Sequence, residues 1–144
     1  MTETTLAAAL MSEVLSADQT LKEVMSRNLP KGMELSHFSV LNHLYGAQER
    51  SPVQLARAFQ VTKGAMTNTL KRLEAAGHIH IRPDWDDARR KMVSISPAGR
   101  RARDIALDGL EPVFEKLLND LGEERVRQAS RDLRAFRRVL KGGD

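Results

Sequence analysis

The sequence predicts a mainly α (α+β) fold, in which a winged helix-turn-helix lobe sits on a helical lobe drawn from both ends of the chain. Three observations predict it. Apolar residues recur at helical spacing over most of the 144 residues. The stretch from Ser51 to Gly99 reads as a short helix, a tight turn, a second helix with a polar side, and two alternating strands around a charged tip. Charge is also segregated. Ser51 to Arg103 holds eleven Lys and Arg against four Asp and Glu, net +7, and the remainder holds twelve against fifteen, net −3, within a total of +4.

Each element has its own signal. Leu6, Leu10, Val14, Ala17, Leu21 and Val24 form one face of a helix over about 5–28. Leu29-Pro30-Lys31-Gly32 ends it, because proline disfavours a helical residue before it and glycine permits a sharp turn. Phe38, Leu41, Leu44 and Tyr45 give the buried side of a helix over about 36–47. Ser51-Pro52-Val53-Gln54 starts the next: Ser51 caps, Pro52 suits the first turn, and Gln54 occupies the capping-box position. Thr62 caps a further helix over about 63–76, and Gly77 stands where a C-terminal glycine belongs.

Ile79 and Ile81 alternate with His80 and Arg82 as in a half-buried strand, and Met92 to Ile95 supply the return strand. Between them lies the tip, 83–90, where Trp85 is expected to pack beneath the turn as a strut. A long helix over about 97–120 contains Pro112, which should kink it. The last helix, about 123–140, spaces Val126, Ala129, Leu133, Phe136 and Leu140 by 3, 4, 3 and 4, the seam of a coiled-coil-like contact. Its six arginines leave that seam free and read as solvated, or as paired with acids of the first helix such as Glu13 and Glu23, ahead of a second nucleic-acid surface.

Composition narrows the function. Hydrophobic content of 41% supports a packed interior and 29% charged residues an exposed surface. With no cysteine, disulfides, thiol redox sensing and cysteine-ligated zinc are excluded. No basic leader or apolar run of about 20 residues marks a signal or membrane span, so a cytoplasmic location and no membrane partner are expected. No glycine-rich phosphate loop, nucleophile elbow or His/acid pair at metal spacing is present, so the chain does not read as an enzyme. His78-Ile79-His80 offers two imidazoles, short of the three or four ligands a metal needs, so no metal site is assigned.

The basic middle directs attention to duplex DNA, since each cation that meets a backbone phosphate releases condensed counterions. On the helix from Lys63, the core takes Met66, Leu70 and Leu73. Lys63, Gly64, Thr67, Asn68 and Lys71 then point outward, flanked by Thr62 and Arg72. Asn bonds adenine bidentately in the major groove, Lys reaches guanine, Thr serves a base or a phosphate, and Gly64 permits close backbone approach. An ordinary solvated helix face carries the same residue types; the preceding short helix and the following basic hairpin favour the groove. Arg89 and Arg90 at the tip suit the minor groove, where the negative potential is deep.

Asp87-Ala88-Arg89, followed by Val93-Ser94-Ile95-Ser96-Pro97-Ala98-Gly99, resembles the wing signature of the MarR (multiple antibiotic resistance regulator) family: Asp-x-Arg, a short strand, then Leu-Thr-x-x-Gly. Ile95-Ser96 stands in place of Leu-Thr. Leu55-Ala56, Leu73-Glu74-Ala75-Ala76-Gly77 and the segment from Leu35 to Leu41 also resemble the family, so the likeness covers nearly the whole chain. It implies a single domain over 1–144, with a winged lobe at 34–96 (recognition helix about 63–76, wing about 79–95). Residues 5–28 and 97–141 form the dimerisation lobe.

The resemblance further implies a bacterial or archaeal homodimer that binds a near-palindromic operator on double-stranded DNA and regulates transcription, most often as a repressor. Arg89 then enters the minor groove and Asp87 orients it, while Thr62, Lys63, Gly64, Thr67, Asn68 and Arg72 take the recognition-helix positions. Many members bind a small aromatic or anionic effector between the two lobes, for which His37, His43, Tyr45 and Arg57 are the candidates here; no cofactor is implied. The alternative is a winged-helix module that binds protein, or DNA architecturally, without ligand response.

Overall fold

A computed structural model describes residues 2–142. Among them the chain forms α1 (Glu3–Asn28), α2 (Leu35–Tyr45), α3 (Pro52–Phe59), α4 (Lys63–Ala75), β1 (Ile79–Pro83), β2 (Lys91–Ile95), α5 (Pro97–Leu121) and α6 (Glu123–Leu140). It divides into two compact units, one up to Gly109 and one from Leu110 onward.

The caps read from the sequence set the boundaries of α3 and α4. Gln54 N–H donates to Ser51 Oγ at 3.2 Å, and Ser51 N–H donates to Gln54 Oε1 at 2.8 Å, a reciprocal capping box. Ala65 N–H donates to Thr62 Oγ1 at 3.0 Å. Gly77 ends the α4 segment with φ +77°, a left-handed conformation that glycine adopts without strain. Between α3 and α4 the chain turns through Gln60, which is left-handed (φ 54°) with no glycine to signal it.

In the first unit, Val40, Leu41 and Leu44 of α2, Leu55 and Ala56 of α3, Met66, Leu70 and Leu73 of α4, Ile79 of β1 and Val93 of β2 form one buried cluster. The strands pair antiparallel with Ile81 opposite Val93. Val93 exchanges both backbone hydrogen bonds with Arg50, at 3.0 and 2.8 Å. This bridge ties the wing to the segment before α3 (Arg50–Val93) and has no period-2 signal in the sequence. Glu49 and Arg82, both part-buried, brace the same junction at 2.6 Å.

Two details differ from expectation. Gly46 caps α2 one residue after Tyr45, so that helix stops short of Ala47. Trp85 is not a strut: it is 81% exposed, with the Arg82 guanidinium 4.9 Å from its ring centroid. α5 contains Pro112, as the sequence reading expects. The unit boundary falls within a turn of that proline, where the missing N–H removes a helical hydrogen bond. In the second unit Arg127 and Arg131 pair with Glu123 and Glu124 of their own helix.

Candidate nucleic-acid interface

The wing tip is a folded turn. Asp84 N–H donates to the Arg90 carbonyl and Arg90 N–H to the Asp87 carbonyl, each at 2.9 Å. Asp86 N–H donates to Asp84 Oδ1 at 3.0 Å. Asp87 then receives three hydrogen bonds from one residue: Arg89 Nε and backbone N–H reach Oδ1 at 3.1 Å, and Arg89 Nη2 reaches Oδ2 at 3.4 Å. The result is a bidentate fork that fixes the direction of a side chain 91% exposed to solvent. The side-chain and backbone hydrogen bonds from Arg89 hold the Asp87 carboxyl below the usual carboxylate range. Arg90 Nε lies 3.9 Å from Asp84.

On α4 the candidates Lys63, Gly64, Thr67, Asn68, Lys71 and Arg72 are all exposed, as are Ala65, Glu74 and Ala75, and the exposed Thr62 precedes them. A Cβ added to Gly64 meets nothing within 4 Å, so open space lies over the first turn of the helix. The Thr67 hydroxyl donates to the Lys63 carbonyl at 2.8 Å, which leaves its oxygen available as an acceptor. Arg72 is placed differently from the rest of the face. Its Nη1 pairs with Glu34 at 3.2 Å, at the start of α2.

That pairing belongs to a second assembly that sequence reasoning missed. Glu34 caps α2 with His37 at the third position, and Glu34 N–H donates to His37 Nδ1 at 3.1 Å. A capping box usually carries Glu or Gln at that position, so the histidine hid it. His37 is buried and lines a cavity of about 420 Å³ together with Lys31, Met33, Arg72, Leu73, His78 and Ile105. Burial pushes the His37 imidazole below its ordinary value of 6.5; Glu34 opposes the shift, while Arg72 and His78 add to it.

Unfolded His37 therefore binds more protons than folded His37 between pH 6.5 and the lower folded value. Its contribution to stability is complete above 6.5 and is lost as pH falls below it. The expected result is a falling urea midpoint from pH 7.5 to pH 5.5. A His37→Gln variant should flatten that decline, since glutamine retains an acceptor for the cap. An equal decline in both proteins would remove His37 from the account.

The remaining residues proposed for an effector are dispersed. His43 packs edge-on against Phe59 at 5.5 Å. Tyr45 stacks beneath the guanidinium of Arg103 at 4.0 Å and of Arg100 at 4.9 Å. Arg57 lines a different cavity, beside Arg89, Arg90 and Lys91. Of the four, only His37 borders the 420 Å³ cavity. Among the described residues no group of three or more His, Cys, Asp or Glu is placed to hold a metal ion, and no helix is long and apolar enough to cross a membrane.

Comparison with known proteins places this geometry. A sequence model described as MarR family matches residues 31–90. The chain is 28% identical over 96 residues to a Bacillus subtilis (strain 168) protein named "Uncharacterized HTH-type transcriptional regulator YdgG". The match covers 65% of this chain and 63% of that relative, so just under two thirds of the relative's length is spanned. The transcriptional regulator BldR from Sulfolobus solfataricus superposes with a TM-score of 0.82 at 25% identity, covering 98% of this chain and 99% of BldR. A mutant MarR from E. coli, solved in complex with operator DNA, superposes with a TM-score of 0.80 at 20% identity, covering 94% and 99%. Its likeness shows the fold. The MarR family pattern thus spans the helix-turn-helix and wing tip, and the fold is similar over nearly the whole chain to that of the transcriptional regulator BldR.

Proposed function

We propose that the chain is a cytoplasmic transcriptional repressor that binds a near-palindromic operator on duplex DNA as a homodimer and is released by a small aromatic or anionic effector. The observation that carries the DNA reading is the Asp87-locked Arg89 on the wing, on the same winged lobe as the exposed polar face of α4. An arginine directed outward by a carboxylate suits a narrow minor groove, and a helix face with Lys63, Thr67, Asn68 and Lys71 suits the adjacent major groove. The MarR relative solved with operator DNA supports the same reading.

Exposed apolar residues on the terminal helices support the homodimer. α1 buries none of its residues and exposes Leu6, Leu10 and Leu21, and α6 exposes Leu133 and Leu140. A second copy would cover them, and a two-fold dimer spaces its recognition helices by ~34 Å, one DNA turn. The cavity at His37 supports effector binding: an apolar floor with Lys31, Arg72 and two imidazoles suits an aromatic anion, and Arg72 carries any occupant's effect into α4. The activity is binding, and no catalytic step or cofactor is assigned.

The test is recovery of fragmented genomic DNA on the purified protein, followed by sequencing. The expected result is a shared near-palindrome upstream of genes. Sequence-independent recovery that disappears as salt rises would contradict the reading and leave a general phosphate binder.

A further inference from the structure

A second cavity, of about 570 Å³, lies between α3 and the return side of the wing. Arg57, Arg89, Arg90 and Lys91 border it, and no acidic side chain does. Two of these cations already have partners in the tip, Arg89 on Asp87 and Arg90 near Asp84. Arg57 and Lys91 form no ion pair among the described residues. Arg57 and Lys91 therefore bring two uncompensated positive charges to one cleft, and their repulsion is relieved by an anion from outside. The sequence alone grouped Arg57 with the effector residues; the fold separates it from the cavity at His37 and sets it across from the wing.

We propose that this cleft seats one backbone phosphate of the bound duplex, with Arg57 and Lys91 as its positioning residues. The inference rests on the DNA-binding reading above. It adds a contact from α3, the helix before the recognition helix, and assigns that contact to backbone rather than base. Continuity carries the choice of a phosphodiester: Arg89 borders the cleft and also projects from the wing, so a strand whose groove Arg89 enters runs past the cleft mouth. Arg57 and Val53 lie one turn apart along α3 and are both exposed, so the cleft is open to such a strand. A backbone phosphate fixes register without reading sequence, which makes it a positioning contact.

The experiment measures affinity against salt for the wild-type protein, Arg57→Ala, Lys91→Ala and Arg134→Ala. The ligands are a duplex recovered from the genomic selection and a scrambled duplex of equal length. Arg134 carries the same charge on α6 and does not line the cleft. Arg57→Ala and Lys91→Ala are expected to weaken both duplexes by the same factor, keeping the preference for the selected one. Each should also reduce the slope of log affinity against log salt, by up to about 1.8 for the two clefts of a dimer at about 0.9 per phosphate contact. Arg134→Ala should leave the slope unchanged.

Wild-type preference for the selected duplex with an unaltered slope in Arg57→Ala overturns this inference alone. Equal wild-type affinity for both duplexes overturns the underlying reading. An equal loss of slope in Arg134→Ala makes the effect one of net charge and removes the site. Inorganic phosphate titrated into the free protein separates the two sources of the anion. The expected outcome is no competition with DNA, and phosphate binding that displaces DNA in the wild type but not in Arg57→Ala would assign the cleft to the free ion.

Discussion

Gly99→Ala is expected to destabilise the protein by about 3 kcal/mol or more, an unusually large effect for one methyl group. A Cβ at this position would lie 2.0 Å from the His78 carbonyl oxygen, 2.9 Å from the His78 carbonyl carbon and 2.9 Å from Ile95 Cγ1. The first two are backbone atoms and cannot rotate away. The first turn of α5 would have to move off the chain between α4 and β1.

That junction is itself tightly bonded. Ser96 N–H donates to the same His78 oxygen at 3.0 Å. The buried Ser96 hydroxyl donates to the Gly77 carbonyl at 2.6 Å and accepts from Gly99 N–H at 3.0 Å. A shift that accommodates the methyl breaks these bonds in a buried site, where unpaired groups are costly. Gly64→Ala provides the contrast. It meets nothing within 4 Å in the first turn of α4 and should raise stability, by less than the about 1 kcal/mol that separates alanine from glycine in a helix interior. Urea denaturation of the two variants checks both signs; a Gly99→Ala midpoint equal to wild type would refute the close-approach argument.

Arg89→Ala is expected to weaken binding to the recovered operator roughly 10- to 100-fold, the loss of one good groove contact. It should leave the unfolding midpoint almost unchanged, because the side chain is exposed and its partner is a surface carboxylate. Asp87→Asn should act through Arg89: the fork is lost, Arg89 samples more rotamers, and affinity falls by less than in Arg89→Ala. In Arg89→Ala the further change Asp87→Asn should then have little effect, a non-additivity that marks one unit.

The clamp should also be insensitive to pH over the physiological range. The Asp87 carboxyl is held below its ordinary value of 3.8 by the hydrogen bonds it accepts from Arg89. Its contribution is therefore present above 3.8 and is lost only as pH falls through the lower folded value. Additive effects of the two substitutions, measured by fluorescence anisotropy, would show that Asp87 does not orient Arg89.

The helices and both strands were legible because their signals are local. Ser51, Gln54, Thr62 and Gly77 mark boundaries through hydrogen bonds to neighbours a few residues away. The reason Gly99 and Ser96 belong to the family signature was not legible, since it lies in contacts with His78 and Gly77 some twenty residues earlier. The Arg50–Val93 bridge, the Glu49–Arg82 brace and the Glu34–Arg72 pair join residues 33 to 43 positions apart, and no periodicity announces them.

The candidate site divides along the same line. Asp87 and Arg89 are two residues apart, so their pairing could be read directly. The location of Arg57 depends on how the wing folds back over α3, and residue type alone did not distinguish a phosphate contact from an effector contact. Arg72 likewise carries the charge of a DNA contact, while its partner is set by the packing of α4 against α2. Trp85 misled because a lone large aromatic is usually buried, and here a guanidinium covers one face of an otherwise exposed ring.

The most direct test of the central claim is a titration of the recovered duplex and its scrambled counterpart with wild-type protein, reading affinity and stoichiometry together at fixed physiological salt. The account predicts two chains per duplex and a preference for the recovered sequence of at least ~10³-fold, as for specific regulators. Equal affinity for the two duplexes, or one chain saturating each, would contradict it.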